Sequence, residues 1–238
     1  MTFPPAAWHQ RFQQQARWTI AARQYILDFI NIEPSSSILE VGCGTGVVLN
    51  EIADHTKSSS FGLDIRFDST CFASQNSRSI NFICSDVTKI PFSNGTFFCT
   101  FCHYFLMWVK NPLSAIQEMM RVTQPEGYLI AFAEPDYGGG ITFPPELAGI
   151  VQDQSFDLKQ QGADIYSGRQ LRRWLITAGL KNVQVGIIGA EWKSNDEMFL
   201  DEIEWLKKSG KPGSYDGLEN IKDSIYFIPT FYGFGQVK

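Results

Sequence analysis

The sequence predicts a doubly wound α/β fold, in which helices cover both faces of a mostly parallel sheet. Apolar runs typical of buried strands alternate with stretches whose apolar residues recur at helical spacing. The first such strand, residues 38–41, leads into a glycine-rich turn and then a helical stretch at residues 47–53. Acidic residues follow the next two predicted strands, at the edge where open α/β sheets bind ligands.

Length and composition favour a single domain with a sizeable core, since the chain has 238 residues. The formal net charge of −5 provides no broad basic surface, so no nucleic-acid partner is expected. No apolar run is long enough to span a membrane, and the first residues lack the pattern of a signal peptide. The 5 cysteines leave one unpaired and fit a reduced compartment, so we expect a cytoplasmic protein. No metal site is expected.

The glycine-rich turn is the strongest ligand-binding signal in the chain. Gly42, Gly44 and Gly46 allow positive φ angles and a close approach of a ligand to the backbone, at the start of a helix. The dinucleotide-binding fingerprint needs a small third residue where this chain has Val47. Glu40, two residues before the first glycine, would repel a diphosphate and attract a cation. The turn therefore favours a positively charged ligand.

The pattern Glu-x-Gly-x-Gly-x-Gly resembles the first motif of the class I S-adenosylmethionine-dependent methyltransferases. Residues 91–97, 115–122 and 125–127 look like the small-molecule group that is similar to the ubiquinone/menaquinone-biosynthesis methyltransferases. The resemblance runs from about residue 36 to 134. It implies S-adenosyl-L-methionine as cofactor and a Rossmann-like sheet of seven strands, ordered 3-2-1-4-5-7-6 with the last strand antiparallel.

Two strand ends supply candidate contacts to the nucleoside part of this cofactor. Asp64 could accept both ribose hydroxyls, and Ile65 would then lie against the adenine. Asp86 could accept from the adenine amino group while the Val87 backbone reads the ring edge. Either aspartate could instead belong to an ordinary turn or cap. Cys43 in the glycine turn and Cys102 at the end of the fourth strand complete the expected cofactor site.

The acceptor side has two candidate catalytic residues. His103 follows the fourth strand, and its usual pKa suits the deprotonation of a hydroxyl. The alternative, which is slightly favoured, is a pocket-lining histidine hydrogen-bonded to the backbone. Tyr137 follows the fifth strand. Aromatic residues that could wall an acceptor site, or simply pack in the core, are Tyr104, Trp108, Tyr137 and Tyr232.

The other segments are predicted from local signals. Residues 6–30 are expected to form a helical cap or lid, with Arg17 and Trp18 near the methionine end of the cofactor. Ser167 is expected to cap a helix over 168–178, and 227–235 to form the last strand. Phe98 stands where the resembling group has Asp, which is expected to weaken the support of the glycine turn.

Together these features predict one methyltransferase domain. A helical cap (1–34) precedes the cofactor-binding core (35–134), a substrate-side insertion (135–166) and the C-terminal part of the sheet (167–238). The expected function is methyl transfer from S-adenosylmethionine to a small organic acceptor through an O-, N- or C-nucleophile, with a hydroxyl or ring-bearing acceptor favoured. A non-catalytic S-adenosylmethionine-binding protein and an NAD-dependent oxidoreductase are the alternatives.

Overall fold

A computed structural model describes residues 3–77, 79–189, 197–209, 215–221 and 224–238. The helices in this part of the chain are α1 (Pro5–Trp18), α2 (Ile20–Ile30), α3 (Val47–Thr56), α4 (Phe67–Asn76), α5 (Pro112–Val122), α6 (Ala148–Gln160), α7 (Ser167–Ala178) and α8 (Glu197–Ser209). The strands are β1 (Ser37–Val41), β2 (Ser59–Asp64), β3 (Asn81–Cys84), β4 (Phe97–Cys102), β5 (Thr123–Pro135), β6 (Ile141–Phe143), β7 (Lys181–Ile188), β8 (Ile225–Phe227) and β9 (Thr230–Gln236).

Seven strands form one sheet in the order β3-β2-β1-β4-β5-β9-β7. The first five of these pair in parallel, and β9 runs antiparallel to both β5 and β7. Numbered within this sheet alone, the order is 3-2-1-4-5-7-6, which confirms the predicted fold and topology. The glycine turn after β1 and the ends of β2 to β5 therefore lie at one edge, the carboxyl edge of the sheet.

Two apolar layers cover the sheet. On one face, Ile26 of α2 and Leu49 of α3 pack with inward residues of the strands. On the other, Met119 of α5 and Leu171 of α7 do the same. Cys99 belongs to the first layer, and Cys102, three residues further along β4, belongs to the second. Successive side chains of a strand point to opposite faces, so the Cys-x-x-Cys spacing is a packing feature.

A third apolar cluster lies beyond the carboxyl edge, and we call it the roof. It combines α6 and α8 with a small antiparallel ribbon in which Thr142 of β6 pairs with Tyr226 of β8. The sequence did not indicate this ribbon. The buried roof residues are Leu147, Ile150, Phe199, Ile203, Leu206, Tyr215, Tyr226 and Ile228.

The N-terminal segment is helical, as residues 6–30 were predicted to be, and it forms two helices, α1 and α2. The break is at Thr19, whose φ is −112°. Its hydroxyl lies 3.3 Å from the carbonyl oxygens of Gln15 and Ala16. Such bonds from a threonine to its own helix compete with the regular backbone ladder and bend it.

Three further local predictions need correction. Ser167 lies inside α7, and its hydroxyl donates to Glu134 Oε2 at 3.1 Å instead of capping the helix. The last predicted strand is divided into β8 and β9, because Pro229 between them has no N–H to donate to a ladder. Phe98 lies at the amino end of β4, where its ring packs against Tyr128 with a centroid distance of 6.0 Å. It is therefore at the opposite edge from the glycine turn and cannot weaken it.

Candidate active site

The glycine turn between β1 and α3 has the backbone geometry that its sequence predicted. Gly42, Gly44 and Gly46 have φ angles of +74°, +51° and +78°. Side-chain-bearing residues rarely adopt this left-handed region, so the three glycines are required by the path of the chain. Gly46 precedes the first turn of α3, whose unpaired N–H groups point toward this edge.

Aromatic rings lie against this turn. A Cβ atom on Gly42 would come within 2.2 Å of the Phe105 ring, and one on Gly44 would come within 2.8 Å of Phe12 in α1. His9, also in α1, has Nδ1 3.0 Å from the hydroxyl of Thr45 in the turn. Helix α1 therefore lies directly over the glycine turn, where the sequence led us to expect a cap or lid.

Asp64, at the end of β2, faces the same turn. Its Oδ2 accepts the Gly44 N–H at 2.8 Å, and its Oδ1 accepts the Arg66 N–H at 2.8 Å. A carboxylate offers about four lone-pair sites, so these two bonds leave room for ribose hydroxyls. Ile65 and Phe67 follow with 67% and 71% of their side chains exposed. Two large exposed apolar side chains beside a carboxylate provide an apolar face suited to a flat ring.

Asp86 and Val87 follow β3 at the same edge. Asp86 Oδ1 accepts the Thr88 N–H at 2.7 Å, which lowers the pKa of the Asp86 carboxyl. Asp86 thus caps a short 3-10 turn, the alternative role that its position allowed, and the residue as a whole is exposed. Val87 is buried against the sheet.

Glu40 is the one buried carboxylate in the described part of the chain with an oxygen that lacks a hydrogen-bond partner. It is buried, and its Oε2 has no hydrogen-bond partner. Burial raises the pKa of Glu40 well above its usual value, against the opposing effect of the nearby Arg23 guanidinium. Cys43 is buried too, and burial raises the pKa of its thiol. An unpaired carboxylate oxygen under the glycine turn suits a cationic ligand, so these residues fit S-adenosylmethionine.

His103 follows β4, and its Nε2 lies 2.9 Å from the Thr19 hydroxyl. That hydroxyl also accepts from Arg23 and lies 3.3 Å from two carbonyl oxygens, so its own proton can go to a carbonyl oxygen or to Nε2. The tautomer that carries the ring proton on Nε2 leaves Nδ1 able to accept one. Burial, helped by the Arg23 charge, lowers the pKa of His103 well below its usual value.

The aromatic candidates separate into two groups. Tyr104 lies beside His103, with a ring-centroid distance of 4.8 Å, and Tyr137 packs against the roof. Burial raises the pKa of Tyr104 to about 12. Trp108 is 44% exposed at the end of the same loop. Tyr232 instead packs on the α2 side of the sheet, 6.2 Å from the Tyr25 ring, so it does not wall an acceptor site with the others.

Arg17 and Trp18 do not reach the cofactor turn, contrary to expectation. Arg17 Nη2 donates to Asp201 Oδ2 at 2.9 Å, and Trp18 Nε1 donates to the same oxygen at 3.2 Å. Gln14 donates to the other oxygen of Asp201 at 3.2 Å. These side chains hold α1 against α8, so their role is to position the cap.

Glu134, at the end of β5, is a central residue that the sequence did not single out. Its Oε1 accepts the backbone N–H groups of Phe105 and Leu106 at 3.1 and 2.8 Å, and its Oε2 accepts that of Met107 at 3.2 Å. Cys102 Sγ lies 4.0 Å from Oε1, so the Cys102 thiol faces this carboxyl in the core. Burial raises the pKa of Glu134 to about 7. The carboxyl fixes the loop that carries His103 and Tyr104.

Comparison with known proteins agrees with this geometry. Residues 39–131, which contain the glycine turn and the ends of β1 to β4, match the family model described as methyltransferase domain. Residues 39–131 therefore carry a methyltransferase domain. The expected cofactor, S-adenosylmethionine, is confirmed, since related folds are solved with it or with S-adenosyl-L-homocysteine.

Curated relatives agree in family but are distant. A demethylmenaquinone methyltransferase of Renibacterium salmoninarum is 28% identical over 168 residues, with 68% of each chain covered. Proteins of the same name from Paenarthrobacter aurescens and Beutenbergia cavernae align over 44% and 48% of their own length. The chain thus matches about half of the length of several relatives.

Solved structures share the fold. A chain from the complex between the Haloferax volcanii Trm112 methyltransferase activator and a methyltransferase is 14% identical, with a TM-score of 0.65 and coverage of 98% of this chain and 95% of that one. Geranyl diphosphate C-methyltransferase from Streptomyces coelicolor, solved with S-adenosyl-L-homocysteine, is 13% identical, with a TM-score of 0.64 and coverage of 92% and 77%.

Two features are absent from the described residues. No group of three or more His, Cys, Asp or Glu side chains there is placed to hold a metal ion. Within the same residues, no helix has the length and apolar character that crossing a membrane requires.

Proposed function

We propose that this protein transfers the methyl group of S-adenosylmethionine to a small, ring-bearing acceptor, with a hydroxyl group favoured as or beside the nucleophile. The observation that carries the proposal is the juxtaposition at the carboxyl edge of an unpaired Glu40 oxygen under the glycine turn and a loop bearing His103 and Tyr104. The names of the demethylmenaquinone methyltransferase relatives support a ring-bearing acceptor.

The cofactor roles follow from the contacts at the edge. The Gly42 to Gly46 backbone would hold the methionine part, and the positive charge of the ligand would favour the ionised form of the Glu40 carboxyl. Asp64 would accept the ribose hydroxyls, Ile65 would lie against the adenine, and the Val87 backbone would read the ring edge. The exposed residue Asp86 would accept from the adenine amino group.

The bound cofactor supplies an electrophilic methyl group on a positively charged sulfur. The protein then has to hold the acceptor in line with that methyl group and exclude water, and such orientation can supply about 7–11 kcal/mol of the barrier. As the acceptor–carbon bond forms, the carbon–sulfur bond breaks and its electron pair stays on sulfur. The acceptor's proton passes to His103 Nδ1 or to water. Because burial lowers the pKa of His103, its imidazole is neutral in the free protein and can accept a proton, but it is a weak base.

Calorimetry and turnover assays distinguish this function from the two alternatives, a non-catalytic S-adenosylmethionine-binding protein and an NAD-dependent oxidoreductase. We expect S-adenosylhomocysteine to bind and NAD not to bind, because Val47 occupies the position where the dinucleotide fingerprint needs a small residue. Turnover is then measured with methyl-labelled cofactor against a panel of phenols, quinols and amines. Binding without turnover on any member would favour a non-catalytic cofactor-binding protein, and binding of NAD alone would favour an oxidoreductase.

Substitution of the acceptor-side residues tests their roles. His103→Gln and Tyr137→Phe should lower turnover while the affinity for S-adenosylhomocysteine stays within about threefold, or roughly 0.6 kcal/mol. Asp64→Ala is the matched cofactor-side variant and should show the reverse pattern. If the three variants lose cofactor affinity equally, the assignment of His103 and Tyr137 to the acceptor site and of Asp64 to the cofactor site is wrong.

A further inference from the structure

Helix α1 joins the glycine turn to the roof. Phe12 contacts the turn, and its neighbour Arg11 points into the roof, where only 4% of its side chain is exposed. A helix turns by about 100° per residue, so consecutive side chains of α1 reach both structures. Whatever Arg11 binds thus lies next to the cofactor turn.

The Arg11 guanidinium is held on three sides. Its Nη2 pairs with Glu202 of α8, which is also buried. Its carbon Cζ lies 4.8 Å from the ring centroid of Trp18 and 5.3 Å from that of Trp205. The two indole rings and the carboxylate fix the plane of the guanidinium, and hence the direction of its remaining N–H groups.

One guanidinium nitrogen has no partner. Arg11 Nη1 and Glu40 Oε2 are the two buried side-chain polar atoms in the described part of the chain that lack a hydrogen bond. Both Glu202 oxygens already have a partner: Oε2 pairs with Arg11 Nη2, and Oε1 accepts from Gln154, whose own Oε1 accepts from Tyr226 at 2.5 Å. A buried unpaired donor is costly, and a bound ligand or an ordered water is what would complete it.

Three tyrosines lie within electrostatic range of the Arg11 guanidinium. The positive charge of Arg11 acts on Tyr104 and Tyr137, where it partly offsets the rise in pKa that burial causes. The charge of Arg11 acts in the same direction on the pKa of Tyr226 in β8. Tyr104 follows β4 and Tyr137 follows β5, so both lie at the edge where a methyl acceptor would bind.

We propose that Arg11 Nη1, together with the Tyr137 hydroxyl, binds an ionised ring hydroxyl of the methyl acceptor. This inference rests on the proposed methyl transfer and names its substrate class, an acidic phenol-type oxygen. Arginine does not lose its proton in proteins, so it favours the anion over the neutral hydroxyl. Glu202 balances the guanidinium charge in the free enzyme through its ion pair with Arg11 Nη2. The N–H groups of Nη1 then remain available to the ligand. The bound anion is also the stronger nucleophile.

The test uses 4-nitrophenol, because its phenolate absorbs visible light and its neutral form does not. With the enzyme saturated with S-adenosylhomocysteine and the pH below the probe's own midpoint, we expect the wild type to bind it as the phenolate. Arg11→Gln should weaken binding about ten- to a hundredfold, the range for one bond to a charged group, and abolish the colour change. Glu202→Gln keeps Arg11 and removes the balancing charge, so it should strengthen binding and shift the midpoint further down.

Two controls keep the result interpretable. The double variant R11Q/E202Q removes both charges, and it should fold, give an unchanged circular dichroism spectrum and bind the probe weakly as the neutral phenol. The other charged or titratable groups that face the guanidinium, Tyr104, Tyr137 and Tyr226, stay in place in every variant. Intrinsic fluorescence of Trp18 and Trp205, which flank Arg11, gives a second binding signal.

The outcomes are distinct. Equal probe binding by the wild type and Arg11→Gln, or weaker binding by Glu202→Gln, overturns the inference. Binding of the neutral phenol by the wild type also overturns it. If S-adenosylhomocysteine binds but 4-nitrophenol does not, the inference fails while the proposed function stands. If S-adenosylhomocysteine itself does not bind, the proposed function fails first.

Discussion

Glu134→Gln is the substitution whose effect the structure predicts in most detail. The folded protein keeps this carboxyl protonated up to about pH 7, whereas the unfolded chain releases the proton near its ordinary pKa of 4.5. The folded state therefore holds more protons than the unfolded state between these two values. By linkage, the free energy of unfolding falls as the pH rises from about 4.5 to about 7.

The size of this effect follows from the two pKa values. A difference of about 2.5 units at 1.36 kcal/mol per unit corresponds to about 3 kcal/mol. Glutamine keeps an oxygen for the backbone N–H groups that Oε1 accepts and does not titrate. Between pH 5 and pH 8 the wild type should thus lose roughly 3 kcal/mol more stability than Glu134→Gln, or about 6–12 °C of melting temperature.

Urea denaturation at pH 5, 6, 7 and 8 measures this difference. Glu118→Gln is the matched control, because the ion pair with Arg121 lowers the pKa of Glu118 and moves its titration below this window. Other buried carboxyls such as Glu40 contribute equally to the wild type and both variants, so they cancel in the comparison. If the free energy of unfolding changes with pH in the same way in the wild type and in Glu134→Gln, burial does not raise the pKa of Glu134 as described.

Three further substitutions test the site and its backbone. Asp64→Ala should weaken S-adenosylhomocysteine binding at least tenfold, since bonds to a charged group are worth about 1.5–3 kcal/mol each, and unchanged affinity in calorimetry would exclude the ribose contact. Gly44→Ala should lower the melting temperature through about 1–2 kcal/mol of left-handed strain plus contact with Phe12, and Phe12→Ala should recover only the second part. Glu126→Gly should raise the melting temperature by about 2–4 °C, because the exposed Glu126 has φ +63° and glycine relieves about 1 kcal/mol of strain; a lower melting temperature would contradict this.

The positions of the candidate cofactor residues could be predicted from the sequence because their signals are local. Glu40 lies within β1, and Asp64 and Asp86 lie at or just after the ends of β2 and β3, so each could be placed from its own strand. The parallel topology then brings them to one edge. The strand order itself came from the resemblance to a known family.

The roof and its links to the cap could not be predicted in this way. Arg11 pairs with Glu202, 191 positions later in the chain, and no pattern within either helix indicates such a partner. Arg17 was wrongly assigned to the cofactor for the same reason, since its actual partner is Asp201. Glu134 was passed over because its function is to hold backbone N–H groups of another loop, which leaves no motif in its own segment.

The two unpaired buried atoms have opposite chemical character. Glu40 Oε2 is an acceptor beneath the turn expected to hold a cationic cofactor, and Arg11 Nη1 is a donor beside the proposed acceptor site. Each unpaired buried atom costs about 1–3 kcal/mol, so the two together lower the free energy of unfolding by roughly 2–6 kcal/mol. Ligands of matching charge would recover that free energy on binding. A cation on one side and an anion on the other are also what methyl transfer from a sulfonium to an ionised hydroxyl requires, and α1 contacts both sides through Phe12 and Arg11.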